Sequence, residues 1–227
     1  MSLPTPYYHD AKAGITIFYG DCREILPAIE ADSVALVLTD PPYGINYNGP
    51  GATGQRKHVY DYRRQIDAVT GDAGPFDPSP WIRWPAILWG ANCYASRLPD
   101  QPVWLCWDKV TRNGLNLRIA ECEFAWTNCV GRSRAFRFLW SGAYRADEQR
   151  ETYHPTQKPV ALMRWCASLP GVPQGMILDP FMGSGTTLVA AKLEGRPAIG
   201  IEIEERYCET AAKRLGQEVL FGAEPQP

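Results

Sequence analysis

Several patterns that define whole classes of protein are missing from this sequence. Its 7 cysteines include no C-x-x-C pair, and its 3 histidines show no metal-ligand spacing among themselves or with the cysteines. We therefore expect reduced thiols and no metal. No apolar run approaches the length that crosses a bilayer, and the N-terminus has neither the basic nor the apolar segment of a secretion signal. These absences predict a cytoplasmic protein without a membrane partner.

An excess of one charge is missing as well. The 23 Lys and Arg residues nearly balance the 25 Asp and Glu residues, which leaves a net charge of -2. That balance argues against a protein that coats nucleic acid non-specifically, but it allows a local basic surface. The composition, with 45% hydrophobic and 21% charged residues, is that of globular proteins. A chain of 227 residues suits one substantial α/β unit, and we expect a single domain over 1–227.

What is present is a regular alternation of strand and helix patterns. Near the C-terminus, an apolar run at Met176–Leu178 precedes a glycine-rich loop and a helix-forming run from Thr186 to Leu193. A second apolar run at 197–202 precedes helical spacing over 204–215, so this region predicts a βαβα unit. The N-terminal half follows the same pattern. Its predicted elements are a strand at 15–19, a helix at 23–30, and strands at 33–38, 86–89 and 102–107.

These elements predict an α/β fold with a doubly wound, mostly parallel sheet of Rossmann-like type. Segments 122–130 and 136–140 are separated by a short glycine-containing turn, which predicts an antiparallel hairpin at one edge. Ligands of such sheets bind beyond the carboxyl ends of the strands. Four carboxylates stand at those ends or in the turns after them, and we expect them along one edge of the sheet: Asp21, Asp40, Asp179 and Glu202.

The loop 179–185, with sequence DPFMGSG, has the chemistry of a cofactor site. Glycines at a strand-to-helix turn let a ligand approach the backbone closely, and Glu202 at the end of the next strand is placed to bind ribose hydroxyls. A nucleoside-containing cofactor follows. A dinucleotide site is the alternative, but the third glycine of that pattern is missing. The acidic residue that opens the loop would repel a pyrophosphate and favour a cationic ligand.

The tetrapeptide Asp40-Pro41-Pro42-Tyr43 suits the recognition of an amino group. Two consecutive prolines fix the backbone and remove two N–H donors, so that the carbonyls stay free to accept hydrogen bonds. A carboxylate and a carbonyl can accept the two hydrogens of an exocyclic amine, and the tyrosine ring can stack on the attached base. Taken alone, the tetrapeptide can equally be a rigid turn.

Together these residues resemble the DNA amino-methyltransferases, which use S-adenosylmethionine to methylate N6 of adenine or N4 of cytosine. Asp40–Tyr43 resembles their catalytic motif, and 179–185 resembles their cofactor loop. His154–Pro159 and Gly20–Cys22 resemble two further motifs, and the order of the four is that of the β-type members. The resemblance extends from about Ile15 to Leu215, and four motifs in order are far more specific than one.

The resemblance implies a role for each matching residue. Asp21 and the Cys22 amide would bind the adenine of the cofactor, Glu202 the ribose, and Lys158 the methionine carboxylate; a solvated surface lysine is the alternative for Lys158. The implied catalytic residues are Asp40, Pro41, Pro42 and Tyr43. The implied cofactor-binding residues are Asp21, Cys22, Asp40, Lys158, Asp179, Phe181, Gly183, Ser184, Gly185, Thr186 and Glu202.

The implied reaction is direct displacement of the methyl group from a sulfonium. The lone pair of an amine conjugated to a base is delocalised, so Asp40 and the Pro41 carbonyl would favour the pyramidal nitrogen. Positioning and electrostatics would supply most of the rate, with deprotonation late, because an ordinary Asp is a weak base. A base inside a duplex must be flipped out to react, and Tyr43 would stack on it.

Two basic stretches are candidates for contact with double-stranded DNA, within the loops 44–75 and 130–153. Solvated charged loops are the alternative for both. Little room remains for a separate target-recognition domain, so specificity is expected from short loops or from a second subunit, and we expect a homodimer. The candidate DNA-binding residues are Arg56, Lys57, Arg63, Arg64, Arg132 and Arg134.

The sequence therefore predicts a site-specific DNA methyltransferase acting on N6 of adenine, in the cytoplasm and near the nucleoid of a bacterial or phage-infected cell. Adenine is favoured because, in the family that this chain resembles, Asp at the first motif position accompanies adenine more often. Methylation of N4 of cytosine and a catalytically silent DNA-binding regulator are the alternatives, and amines on RNA or protein also stay open. A nicotinamide oxidoreductase is disfavoured by the missing glycine.

Overall fold

A computed structural model describes residues 2–45, 70–109, 120–141, 144–145 and 157–217. The predicted residues Arg56, Lys57, Arg63, Arg64 and His154 lie outside this part of the chain. The described strands are β1 (Tyr8–Asp10), β2 (Ile15–Tyr19), β3 (Val34–Thr39), β4 (Ala86–Trp89), β5 (Trp104–Asp108), β6 (Cys122–Thr127), β7 (Arg134–Arg137), β8 (Trp140–Ser141), β9 (Tyr144–Arg145), β10 (Met176–Asp179) and β11 (Ala198–Glu202). The α-helices are α1 (Cys22–Ile25), α2 (Val160–Ala167), α3 (Thr186–Leu193) and α4 (Glu205–Gly216).

Nine of the described strands form one sheet in the order β1-β2-β11-β10-β3-β4-β6-β5-β7. The five strands from β2 to β4 in this order are parallel to one another. β6 is antiparallel to both β4 and β5, and β7 is again parallel to β5. The predicted α/β fold with a mostly parallel, Rossmann-like sheet is confirmed.

The predicted hairpin between 122–130 and 136–140 is wrong, because β5 lies between β6 and β7. β6 buries Ala125, Trp126 and Thr127 between β4 and β5, as an interior strand must. β7 alternates between exposed and half-buried residues, which suits the sheet edge. The antiparallel pair at the other edge, β1 with β2, was not predicted.

The sheet is covered on both faces, because successive strand residues point to opposite sides. Leu36 and Leu38 of β3 pack with one cluster, which includes Leu162 of α2 and Leu188 of α3. Val37, between them, packs with the second cluster around Trp81 and Trp84. No helix of the described residues is long and apolar enough to cross a membrane.

The directions of the parallel strands and of the antiparallel strand β6 determine which residues meet at the functional edge of the sheet. The carboxyl ends of β3, β10 and β11 place Asp40, Asp179 and Glu202 along one edge. Because β6 runs in the opposite direction, it is its first residues, including Glu123, that reach this edge. A charged residue of an interior strand is thereby added to the predicted set.

Candidate functional site

Asp40 and Tyr43 form a hydrogen-bonded pair in the turn after β3. The Tyr43 hydroxyl donates to Oδ1 of Asp40 at 2.5 Å, and Nζ of Lys158 donates to Oδ2 at 2.7 Å. The same ammonium lies 3.1 Å from the Tyr43 oxygen. The structure therefore brings three predicted site residues, from distant parts of the sequence, into direct contact. Each oxygen of Asp40 still has a lone pair that can accept from a ligand.

The Tyr43 ring rests on the backbone of Gly90, the residue after β4. A Cβ added to Gly90 would lie 1.9 Å from Cε1 of Tyr43, and Gly90 has a φ of +68°. Both the close approach and the left-handed backbone require glycine. Beyond the ring, Asp72 accepts hydrogen bonds from the amides of Gly44 and Ile45 at 2.7 and 3.3 Å. The turn 40–43 is thus fixed at the tyrosine ring and at the backbone that follows it.

Lys158 also contacts a second carboxylate, which the sequence did not predict. Its Nζ lies 2.9 Å from Oε2 of Glu123, and Glu123 in turn forms an ion pair with Lys109. The side chain of Lys158 is only 5% exposed, so it is not a solvated surface lysine. Asp40, Lys158, Glu123 and Lys109 form a row of alternating charges with no net charge, which is how buried charges are tolerated.

The pKa values in this row follow from burial and from the neighbouring charges. Burial raises the pKa of Asp40 above its ordinary value, although Lys158 opposes the shift. Burial would also raise the pKa of Glu123, but Lys158 and Lys109 outweigh it and lower that pKa to about 2. The pKa of Lys158 is raised because both carboxylates oppose the effect of burial. Lys158 and Glu123 therefore stay charged at neutral pH.

The glycine loop begins at Asp179, which closes β10. Oδ1 of Asp179 accepts from the Thr39 hydroxyl at 2.6 Å and from the Phe181 amide at 3.2 Å. Burial raises the pKa of Asp179 to about 6. Gly183 and Gly185 have φ angles of +50° and +79°, so both positions favour glycine.

Ser184 and Thr186 are buried and connect the loop to α4. The Arg214 guanidinium donates to the carbonyl of Ser184 at 2.6 Å, to its hydroxyl at 3.2 Å and to the Thr186 hydroxyl at 3.3 Å. A Cβ at Gly185 would lie 2.7 Å from Cβ of Ala211 in the same helix. These contacts give the side chains of Ser184 and Thr186 a part in holding the loop in place.

Glu202 ends β11 with its carboxylate between two backbone amides. Oε2 accepts from Gly183 at 2.9 Å and Oε1 accepts from Glu204 at 2.8 Å. Burial raises the pKa of Glu202 to about 7, although these hydrogen bonds oppose the shift. Each oxygen retains a lone pair, so the ionised carboxylate can accept two further hydrogen bonds from a diol.

Asp21 caps α1 and forms an ion pair with Arg23. Its carboxylate accepts from the Arg23 amide at 2.8 Å and pairs with the guanidinium at 2.5 Å. Arg23 is 83% exposed, so the pair is readily exchanged for a ligand. Cys22 is buried, and burial raises the pKa of its thiol to about 12. The thiol is therefore neutral, and the residue offers its backbone and an apolar surface.

Arg132 and Arg134 lie away from this edge. Arg134 begins β7 opposite Leu105, whereas Arg137 ends it opposite Asp108 at the carboxyl end of β5. Three residues of strand span about 10 Å. Arg137 is therefore the basic residue of β7 nearest the site.

Sequence reasoning missed Glu123, Lys109 and Gly90. A signal for Glu123 was present, because a glutamate inside the run CEFAWT needs a partner wherever that strand is buried. Which strand would pair with it, and which lysine would reach it, depended on the long-range order of the sheet. Within the described residues, no group of three or more His, Cys, Asp or Glu side chains is placed to hold a metal.

Residues 103–213 match the DNA methylase family N6_N4_Mtase. The chain is 25% identical to the type II methyltransferase M.ScaI of Streptomyces caespitosus, over 96% of this chain and 86% of that protein. The fold is similar to that of the M1.HpyAVI-SAM complex, with a TM-score of 0.52, 24% identity and coverage of 89% and 99% of the two chains. It is also similar to that of the cytosine-N4-specific PvuII DNA methyltransferase, with a TM-score of 0.63, 15% identity and coverage of 95% and 90%.

Proposed function

The chain belongs to the N6-adenine and N4-cytosine DNA methyltransferase family, and from this premise we propose that it methylates N6 of adenine in double-stranded DNA. The observation that carries the proposal is the contact of Asp40 with Tyr43 and Lys158 at the carboxyl edge of the sheet. This arrangement presents a carboxylate beside an aromatic ring, which suits an amino group on a planar base.

The residues of the same edge fit S-adenosylmethionine, the methyl donor of this family. The Glu202 carboxylate keeps two free lone pairs for ribose hydroxyls, and Asp21 carries an exchangeable partner. The left-handed glycines Gly183 and Gly185 leave part of the loop backbone without side chains, so that a ligand can approach it closely. When bound, this cofactor supplies an electrophilic methyl group on a sulfonium, and the acidic edge favours such a cation.

Asp40 and Pro41 are proposed to act on the target amine. An Asp40 oxygen and the Pro41 carbonyl each accept one N–H, which favours the pyramidal nitrogen whose lone pair can attack the methyl carbon. As the N–C bond forms, the C–S bond breaks, and the amine proton leaves late, to Asp40 or to water. Tyr43, held on Gly90, offers its ring to a base that has been flipped out of the duplex.

Lys158 has two proposed roles that use the same ammonium. It orients Asp40, and it is proposed to bind the methionine carboxylate of the cofactor by exchanging its longest contact, the one to the Tyr43 oxygen at 3.1 Å, for that carboxylate. Asp179, Phe181, Gly183, Ser184, Gly185 and Thr186 are proposed to shape the cofactor loop. Pro42 is proposed to keep the catalytic turn rigid.

Nucleoside analysis tests the proposal directly. DNA methylated by the purified protein is digested and analysed by mass spectrometry, with Asp40→Ala protein as the matched control. We expect N6-methyladenine with the wild-type protein and none with the variant. N4-methylcytosine as the only product would establish the alternative base, the specificity named for the PvuII enzyme. Binding of DNA without either product would support the silent regulator.

Several wider expectations depend on this function. The type II designation of the relative supports a role in restriction–modification.

We propose a homodimer, since a single domain of this size covers few base pairs, and light scattering of the protein with and without DNA tests that proposal. A monomer at micromolar concentration in both samples would contradict it. A cytoplasmic location with access to DNA remains a prediction.

A further inference from the structure

The row of charges behind the catalytic turn contains one carboxylate that the proposed chemistry does not use. Glu123 lies on β6 and contacts Lys158, which itself contacts Asp40 and Tyr43. The Glu123 side chain is 22% exposed and that of Lys158 is 5% exposed, so their interaction is shielded from water. A charge held in such a place is costly unless its partners are fixed.

Lys109 fixes Glu123 from the other side. Glu123 lies on β6 opposite Trp107 of β5, and Lys109 directly follows the end of β5, where its amide donates to the Glu121 carbonyl at 2.9 Å. Nζ of Lys109 forms the ion pair with Oε1 of Glu123 and lies 4.9 Å from the centre of the Trp107 ring. Glu123 is thus clamped between two ammonium groups.

The consequence for Asp40 follows from the sharing of Lys158. An ammonium has three donors and one charge. With Glu123 present, that charge is divided between two carboxylates at 2.7 and 2.9 Å, and Asp40 remains a strong acceptor. With Glu123 neutral, Lys158 would pair with Asp40 alone, and the carboxylate would be a weaker acceptor for the hydrogens of the target amine.

We propose that Glu123 is a positioning residue for methyl transfer. It acts through Lys158: it draws part of the ammonium charge away from Asp40 and holds the lysine where it orients both Asp40 and Tyr43. Lys109 keeps Glu123 in place. This inference rests on the proposed function, because it concerns the rate of the same reaction at the same site.

The test compares Glu123→Gln, which keeps the shape and removes the charge, with Glu123→Asp, which shortens the side chain and keeps the charge. If the charge matters, single-turnover methyl transfer falls about 10- to 100-fold in Glu123→Gln and less in Glu123→Asp. The KM for DNA stays within about threefold, because Glu123 acts through Lys158 on Asp40. The rates are compared at saturating S-adenosylmethionine, because Lys158 is also proposed to bind the cofactor. A role in packing alone would give the opposite order, since glutamine fits the same space.

Asp10→Asn is the matched control. Asp10 pairs with Lys192 at 2.9 Å; the carboxylate is about as exposed as that of Glu123, 20% against 22%, whereas Lys192 is more exposed than Lys158. Asp10 lies on the edge strand β1, away from Asp40 and Lys158. This variant is expected to transfer methyl groups at the wild-type rate. If Glu123→Gln fails to fold by circular dichroism, Lys109→Met replaces it, and the inference then requires a lower kcat at unchanged KM.

The outcomes separate this inference from the proposed function. The inference alone is overturned if the wild-type protein is active and Glu123→Gln is equally active. Where Lys109→Met is used instead, equal activity of that variant overturns it in the same way. Faster transfer by Glu123→Gln than by Glu123→Asp would overturn it too. A wild-type protein that methylates no DNA would overturn the proposed function and the inference with it.

Discussion

At the scale of single residues, the carboxylates of the site differ because their neighbours differ. Asp40 is half-buried beside an ammonium, whereas half-buried Glu202 accepts from backbone amides and has no cation in contact among the described residues. Glu123 has two lysines, which lower its pKa, while burial raises the pKa of Glu202 to about 7. Carboxylates at the same edge of the sheet therefore have different pKa values.

Asp40→Ala is expected to reduce the rate of methyl transfer at least 100-fold. The variant removes an acceptor for the target amine and the partner of both Tyr43 and Lys158. A 100-fold loss corresponds to about 2.7 kcal/mol of barrier, the scale of a lost electrostatic contact in a transition state. Radiolabelled methyl transfer measures the rate, and gel shifts are expected to show that DNA binding survives. Turnover within about tenfold of wild type would refute the assigned role.

Glu202 is expected to make cofactor binding dependent on pH. Its pKa of about 7 means that the free carboxylate gains a proton as the pH falls below 7, and a protonated group accepts ribose hydroxyls less well. Affinity for S-adenosylmethionine should therefore rise from pH 6 to pH 8. Because the folded-state pKa is raised, ionisation of Glu202 also lowers folding stability as the pH rises from about 4.5 to 7.

Calorimetry at several pH values tests this expectation, with Glu202→Gln as the control. Any titration of the cofactor itself contributes equally to both proteins, so the difference between them belongs to Glu202. The variant should bind about 1–3 kcal/mol more weakly at pH 8, the scale of a hydrogen bond to a charged group. Identical pH profiles for the two proteins would show that Glu202 does not contact the cofactor.

At the scale of elements, the sequence predicted what local patterns determine. The strand 15–19 and the helix Thr186–Leu193 were predicted with the bounds that the structure has, because each is a simple periodic run between clear end signals. The sequence predicted that β7 pairs with β6, but in the structure β5 lies between them. This order was not predicted, because it depends on strand pairing over long distances in the sequence. The same limit hid Glu123 and Gly90, whose importance lies in contacts with Lys158 and Tyr43.

Gly90→Ala tests how the end of β4 supports the catalytic turn. The new Cβ would occupy the position of the Tyr43 ring, 1.9 Å from its Cε1, so the ring must move. Gly195→Ala is the matched control, because Gly195 has a φ of +66° and no atom within 4 Å of an added Cβ. Each variant should lose about 1–2 kcal/mol of folding stability from the left-handed backbone. Thermal unfolding measures that loss, and only Gly90→Ala should also lose methyl transfer, by 10-fold or more.

At the scale of the whole molecule, the functional groups gather at one edge of the sheet, and DNA must approach that edge. The parallel strands deliver Asp40, Asp179 and Glu202 to it, and the antiparallel β6 delivers Glu123. The same edge receives the carboxyl end of β7. A surface that holds DNA over the catalytic turn is therefore expected to include basic residues from the ends of strands, and not from their beginnings.

The salt dependence of DNA binding distinguishes basic residues at the end of β7 from basic residues at its beginning. Arg137 ends β7 and is 74% exposed, although its Nε lies 3.6 Å from the Asp108 carboxylate. Arg137→Ala should lower the slope of log K against log salt by about 0.9, the value for one lost phosphate contact, and weaken binding to any DNA sequence alike. Arg132→Ala removes an exposed arginine that precedes β7, at the opposite end of that strand, and should leave the slope unchanged. Fluorescence anisotropy at several salt concentrations measures both slopes. A change in Arg132→Ala without one in Arg137→Ala would place the DNA across the other end of β7, as the sequence-based prediction for Arg132 and Arg134 requires.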